Sequence, residues 1–378
     1  MNSIKVIPLF FLISLLALSC DSDDTVDNNL PENTANSLPL LKGDNKIGFI
    51  TGFNPTNPLA TTDSIDARWA EALSAGMSVG RLQIDWPELE PQPNVYDQDA
   101  LKERLEEYRG QGLQAFLLIS AYDSEGPVVP DDLQGLSFDD PTLTDRFNKL
   151  MDWVIPMLVE YDGYIISITN EADVNFGDSP NLANEVLTFL STTKSHIHTI
   201  DKEMAVTVTL AEGSLDSNVS GLQEIINECN VTSWNFYGAR SLSTSPYSAV
   251  QTEDEIKADI QRMIAFSGNK NIVIQELGMH SGETYLGSSE EIQRQFFEVF
   301  FQEMQNNEQI KVAYVFQLVD WSPEVTSSYL QIVADEELPP GFINTIVESL
   351  ETIGLIHYAD GNAKPAWETF MKWLNEFE

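Results

Sequence analysis

The sequence predicts an α/β fold: a single (β/α)8 TIM barrel that follows a signal peptide and a short flexible tether. Three observations carry this expectation. Short β-branched or aromatic runs alternate with amphipathic helical stretches, the pattern of a parallel sheet with helices outside it. Eight such runs recur at about 38 residues per unit, with no break for a second domain, which is what a closed barrel requires. The first run leads into Thr51-Gly52-Phe53-Asn54-Pro55, not into a glycine-rich phosphate loop, which argues against an open dinucleotide-binding sheet.

The chain opens with an address. Residues 1–19 hold one cation, Lys5, and an apolar run from Val6 to Leu18 interrupted only by Pro8 and Ser14. The run is shorter than the ~20 residues of a membrane span and fits a secretory signal. It ends in Leu16-Ala17-Leu18-Ser19-Cys20, which resembles a bacterial lipoprotein signal, so Cys20 is expected to become the lipidated first residue of the mature chain. Residues 20–43 begin Cys20-Asp21-Ser22-Asp23-Asp24 and stay polar, as in a disordered tether. Their acidic start resembles tails that route lipoproteins to the outer membrane or cell surface. The folded domain is then 44–378, a monomer touching the membrane only through its anchor. With Cys20 lipidated, Cys229 has no disulfide partner and is expected to be a small buried hydrophobe.

Within that domain strands are expected at 47–53, 78–86, 114–121, 164–170, 205–210, 232–237, 271–275 and 311–318. Amphipathic helices are expected at 64–75, 99–110, 141–161, 181–200, 215–228, 253–266, 288–306 and 365–377. Asp99 and Ser288 are the expected N-caps of two of them, each with acids in the following turn.

Composition removes several function classes. The 59 acids against 20 Lys and Arg leave a net charge of −39, which disfavours nucleic acid and other polyanionic partners. Hydrophobic residues at 42% are enough for a large core, so the chain is not globally disordered. Two cysteines exclude a disulfide framework and a multi-cysteine zinc site. His196 and His198 lie two apart on an expected helix and so point to different faces, a poor metal pair. No Gly-x-Ser-x-Gly elbow and no P-loop occur. Neither a metal nor a cofactor is expected.

A (β/α)8 barrel does its chemistry at the C-terminal ends of its strands. Those ends read Phe53, Asp85-Trp86, Tyr122-Asp123, Asn170-Glu171, Glu212, Asn235 to Tyr237, Glu276 and Asp320-Trp321. Glu171 and Glu276 stand out, each a lone acid after an apolar run, on the fourth and seventh strands. Those strands face one another across the mouth. Hydrolysis of a glycoside needs such a pair, one acid to protonate the leaving oxygen and one carboxylate to attack or to activate water.

These residues also carry a resemblance. Asn170-Glu171 and Glu276-Leu277-Gly278 resemble the clan A (β/α)8-barrel glycoside hydrolases. Ile84-Asp85-Trp86-Pro87-Glu88-Leu89-Glu90-Pro91 resembles the clan's second-strand segment, and Asn235-Phe236-Tyr237 its sixth. Lys364-Pro365-Ala366-Trp367 resembles its closing segment, where Lys-Pro starts the last helix. The likeness runs from about Ile47 to Phe377, with order and spacing intact. The stretch 275–281 is similar to cellulase-like, galactanase-like and β-1,3-glucanase-like members alike. One departure is Ser120-Ala121-Tyr122-Asp123, which lacks the histidine many members carry after the third strand.

The resemblance implies Glu171 as general acid/base, Glu276 as nucleophile, and contact between Tyr237 and the nucleophile. Arg81, a cation inside the second strand, is expected beside Glu276, because an unpaired buried charge is costly. Asn170 is expected to bond the sugar hydroxyl next to the anomeric carbon, with Asn235 in the same substrate-binding set. Trp86, Tyr122 and Trp321 are expected to stack on sugar faces, Trp321 most of all. The expected function is a retaining glycoside hydrolase acting on a neutral β-glycan. The alternative is a catalytically inactive glycan-binding surface lipoprotein on the same barrel.

Overall fold

The computed structural model describes residues 46–377 apart from 52–61, 164, 178, 180, 218–219, 242–247 and 333–340. The signal at 1–19, the tether at 20–43 with Cys20, and the strand end at Phe53 lie outside the described residues.

Eight parallel strands close into a barrel in chain order. They are β1 Lys46–Thr51, β2 Val79–Asp85, β3 Gln114–Ser120, β4 Ile165–Asn170, β5 Ala205–Ala211, β6 Thr232–Tyr237, β7 Ile272–Gly278 and β8 Ile310–Val315. Closure is made by β1 against β8, from Lys46↔Val312 to Phe49↔Val315. Outside run α1 Thr62–Ser74, α2 Gln98–Gly110, α3 Pro141–Glu160, α4 Leu182–Ile200, α5 Leu222–Glu228, α6 Glu253–Ser267, α7 Glu290–Asn306 and α8 Pro365–Glu376.

Alternation along the strands sorts side chains into two apolar layers. Leu82 and Ile84 of β2, Ile166 and Ile168 of β4, and Val206 and Val208 of β5 pack outward with Phe147, Phe189 and Phe297 of the helices. Val79, Phe116, Leu118, Ile165, Ala205, Val273, Val312 and Tyr314 fill the lumen. The lumen also takes a band of small hydroxyls: Ser167, Thr207, Thr209 and Ser233, all buried.

In several places the structure differs from the sequence expectation. The N-caps are Asp97, accepting from Ala100 N at 3.2 Å, and Ser289, accepting from Ile292 N at 3.2 Å, instead of Asp99 and Ser288. In each case a neighbouring capping residue has the non-helical backbone that reaches the free N–H, extended at Ser289 (φ −166°, ψ 166°) and intermediate at Asp97 (φ −87°, ψ 83°). The helix expected at 215–228 is a 3-10 turn, Glu212–Ser217, followed by the shorter α5. Gly221 separates them with φ 92°, and a Cβ there would meet Ala183 Cβ at 2.7 Å. Two further helices, Pro323–Ile332 and Phe342–Leu350, lie between β8 and α8. Two hairpins follow the C-terminal ends of barrel strands: Tyr122–Asp123 with Gly126–Pro127 after β3, and Ala239–Ser241 with Ser248–Val250 after β6. Cys229 is buried and free.

The end of the barrel is pinned by a buried ion pair. Lys364, at the start of α8, donates from Nζ to Asp320 Oδ1 at 2.7 Å, to Ser281 Oγ at 3.1 Å and to Thr352 O at 3.0 Å. Asp320 Oδ1 also accepts from Gly354 N at 2.8 Å. One lysine thus ties the segments after β7 and β8 to the last helix. Asp320→Ala strands a buried ammonium, and urea unfolding should show a loss of about 3–5 kcal/mol. A loss below ~1 kcal/mol, the range of an exposed pair, would show that the contact does not hold the end together.

Candidate active site

The site is built by two departures from regular strand pairing. Between β4 and β5 the register runs Ser167↔Thr207 and then Asn170↔Thr209, so β4 carries an extra residue. Between β7 and β6 it runs Ile274↔Trp234 and then Glu276↔Asn235, so β7 carries one too. Such irregularities re-aim side chains that strict alternation would send to the other face. Here they bring Asn170, Gln275 and Glu276 together with Asn235. The strand β7 accordingly runs three residues beyond the expected end at Gln275, to Gly278.

Glu276 is fully buried. Arg81 donates from Nη2 to its Oε1 at 3.2 Å, and the Tyr237 hydroxyl donates to its Oε2 at 2.5 Å. Arg81 is itself fully buried on β2, its backbone carbonyl accepting from Tyr108 Oη at 2.9 Å. Glu171 follows β4 directly, with φ 51° and ψ 29°. A non-glycine residue in that left-handed region costs about 1 kcal/mol, a strain that here sets the carboxyl at the mouth. Asn235 Nδ2 donates to Glu171 Oε1 at 2.9 Å and to Asn170 Oδ1 at 3.3 Å.

Electrostatics separates the two acids. Burial pushes the Glu171 carboxyl well above its usual range, and the charge of Glu276 pushes it further, while the Asn235 hydrogen bond opposes. Burial also raises Glu276, but the Arg81 guanidinium and hydrogen bonds from Tyr237 and Gln275 work against it. When the pair shares one proton, Glu171 is therefore the one to carry it. Burial, then the Glu276 charge, keeps Tyr237 protonated and able to donate.

More acids line the same end. Asp123 is buried and accepts from Ser124 N at 2.6 Å and Ser120 Oγ at 3.2 Å. Burial, and then Glu125, pushes it well above the usual carboxylate range. Asp173, two residues past Glu171, accepts from Ala211 N at 3.0 Å, and burial raises it to about 7. Asp85, at the end of β2, is raised by burial to about 7. Asp123 and Asp85 stood among the strand ends in the sequence, but nothing there marked them as neighbours of Arg81.

The three expected sugar platforms fare differently from the acids. Trp86 is fully buried, edge-on to Phe147 at 4.9 Å, with Nε1 donating to Glu90 Oε2 at 2.8 Å. Glu90 in turn pairs with Arg146 of α3. Trp86 is therefore a core residue, and its expected role as a platform is corrected. Parity explains it: Arg81 faces the lumen, so residue 86 faces the helices. Trp321 is buried edge-on to Tyr329 at 6.4 Å, and Tyr122 is buried edge-on to Phe138 at 5.3 Å. Both rings are mostly enclosed, Trp321 at 4% and Tyr122 at 8% exposure. His196 pairs with Asp152 and His198 with the Met204 carbonyl, so the two histidines face different partners.

Gln275 and Thr209 are the functional-site residues that the sequence reading passed over. Gln275 Nε2 donates to Asn170 Oδ1 at 2.9 Å and to Asn235 Oδ1 at 3.3 Å, and Gln275 Oε1 accepts from Thr209 Oγ1 at 2.6 Å. Their available signal was polarity at a lumen-facing position in an otherwise apolar strand.

Comparison with known proteins adds the fold. No protein-family model and no curated protein matches the sequence. Solved structures do. The chain is similar to GH5_18 from Bifidobacterium longum subsp. longum, with a TM-score of 0.65 at 14% identity over 89% of this chain and 80% of that one. It is similar to GH5_18 from Streptomyces cattleya in complex with Manβ1-4GlcNAc, at 0.64 and 12% over 88% and 81%. It is similar to the exo-β-1,4-mannosidase Op5Man5 from Opitutaceae bacterium strain TAV5, at 0.60 and 15% over 88% and 59%. The likeness is one of fold. The side chains must carry the chemistry.

The proton assignment is testable without a substrate. In carbon-13 NMR of glutamate-labelled protein, Glu171 should titrate at higher pH than Glu276. Tyr237→Phe removes a hydrogen bond that favours ionised Glu276, so the Glu276 titration should move to higher pH. A Glu276 that titrates above Glu171 in the unaltered protein would reverse the assignment.

Proposed function

We propose that this chain is a retaining glycoside hydrolase for a neutral β-linked glycan. The observation that carries the reading is the asymmetric carboxyl pair: Glu276 held by Arg81 and Tyr237, and Glu171 raised by burial and by Glu276. A module that only bound sugar would have no use for one buried carboxyl kept as an acid beside another kept as an anion.

The chemistry follows from those environments. Glu171 protonates the glycosidic oxygen as the bond to the anomeric carbon breaks. Glu276 attacks that carbon from the other side and forms a glycosyl-enzyme. Glu171, now ionised, takes a proton from water, which displaces Glu276 and restores both groups. The Asn170 amide bonds the hydroxyl next to the anomeric carbon, a contact that strengthens as positive charge develops. Its Nδ2, buried and without a protein partner among the described residues, is available for it. The net charge of −39 favours neutral glycans over polyanionic ones. The mannosidase and the Manβ1-4GlcNAc complex among similar structures make β-mannosides the first substrates to try. In the same reading Cys20 anchors the enzyme by lipid at the outer membrane or cell surface.

Glu276→Ala should abolish turnover on every glycoside. Glu171→Ala should lose about 10²–10⁴-fold with a poor leaving group, the usual worth of a general acid, and much less with an activated aryl leaving group. Azide should rescue it and give a β-glycosyl azide. An α-configured first product by proton NMR, or near-normal turnover by Glu276→Ala, would contradict the double displacement. The pH profile has a defined sign: kcat/KM falls on the alkaline side as Glu171 ionises, and Tyr237→Phe moves the acid limb to higher pH.

The anchor has its own test. Cys20→Ser should leave the protein without incorporated labelled fatty acid and outside the membrane fraction. Continued labelling of that variant would refute the lipoprotein reading.

A further inference from the structure

We propose that Thr209 and Gln275 are positioning residues that fix which end of the Asn170 amide meets the substrate, and so make the atom on C2 of the sugar a required hydrogen-bond acceptor. The proposal rests on the glycosidase reading above and deepens it into a substrate rule.

An amide side chain has one accepting and one donating end of almost the same size, so only its partners decide which faces the pocket. Here the chain of partners that starts at Glu171 fixes the choice. At one end Asn235 stands 2.9 Å from Glu171 Oε1. Glu171 needs its acid proton on the oxygen that meets the leaving group, so Oε1 accepts and Asn235 turns its Nδ2 there. Its Oδ1 then faces Gln275 Nε2 at 3.3 Å. At the other end Thr209 Oγ1 is 2.6 Å from Gln275 Oε1. With its single proton committed to Gln275, Thr209 accepts from Ser233 Oγ, at 2.8 Å. The Glu171 end therefore sets Gln275 with its nitrogen toward Asn170 and Asn235, and Thr209, able to donate, meets the oxygen at the other end.

Asn170 is thereby settled. Its Oδ1 accepts from Gln275 Nε2 at 2.9 Å and from Asn235 Nδ2 at 3.3 Å. The amide presents Nδ2, the atom with no protein partner among the described residues. Thr209, Gln275 and Asn170 are all fully buried, so water does not compete for these bonds. The directed chain Thr209→Gln275→Asn170 ends in a donor. A 2-hydroxyl can accept from it, a 2-deoxy sugar cannot, and a 2-ammonium sugar offers only protons.

The test compares variants on matched aryl β-glycosides with and without the 2-hydroxyl, using whichever glycon the unaltered enzyme cleaves. On the 2-hydroxy substrate Thr209→Val should lose about tenfold in kcat/KM, roughly the worth of one hydrogen bond, mainly in kcat. Thr209→Ser should restore it, and Gln275→Met should fall toward Asn170→Ala. On the 2-deoxy substrate, already slow with the unaltered enzyme, Thr209→Val should cost no more than about twofold, because the bond it supports is absent. Equal losses on both substrates would overturn the proposal and leave Thr209 a packing residue.

A second readout needs no turnover. In nitrogen-15 NMR of the free protein, the Gln275 carboxamide protons should exchange slowly, and Thr209→Val should speed them. Fast exchange in the unaltered protein, or no change in the variant, would overturn the chain. Slow exchange in a protein that cleaves no glycoside would instead refute the glycosidase reading and leave the fixed Asn170 amide standing.

Discussion

A guanidinium fully enclosed in a barrel must have an anion beside it, and the contact between Arg81 and Glu276 is the requirement around which the mouth of this barrel is arranged. It joins the second strand to the seventh through the lumen. It opposes the burial that would otherwise neutralise Glu276. It also sets the charge that Glu171 experiences: burial raises that second carboxyl most, and the anion stabilised by Arg81 raises it further. The split between a proton-holding and a proton-losing acid thus combines burial of both with a cation beside only one of them.

The second constraint is backbone register. Strict alternation would put Gln275 and Glu276 on opposite faces of β7, and Asn170 on the helix side of β4. The extra residues in both strands remove that conflict and let an amide and a carboxyl from neighbouring positions enter one site. The left-handed backbone at Glu171 completes the turn out of β4. Local irregularity of this sort persists when surrounding bonds over-determine it. Here the Asn170, Asn235 and Gln275 amides and the Thr209 hydroxyl do so, together with the bond from Glu171 N to Thr209 O at 2.8 Å.

The barrel was legible because eight apolar runs alternate with amphipathic helices. Ends were less so. The strand β7 looked finished at Gln275, since polar residues usually close a strand, yet pairing with β6 continues to Gly278. Cap positions slipped by one or two residues where several capping types stood together, and only backbone geometry chose among them. The contact of Arg81 with Glu276 was legible, because a cation inside a strand needs an anion beside it. The aromatics were not: Trp86 directly follows β2 while Trp321 lies beyond the end of β8 at Val315, and burial depends on which face each presents. Thr209 hid for the opposite reason. A threonine in a strand is explained by β-propensity alone, and nothing in the sequence shows that its hydroxyl points at the amide of Gln275.

The central claim is that Glu276 is the anion that bonds the sugar. Incubation with an activated 2-deoxy-2-fluoro β-glycoside, whose fluorine slows both steps but the second more, should accumulate the glycosyl-enzyme. Peptide mass spectrometry should then find the added sugar on Glu276, and Glu276→Ala should take up none. A label on Glu171, or turnover of a fully active enzyme with no covalent adduct on Glu276, would contradict the account.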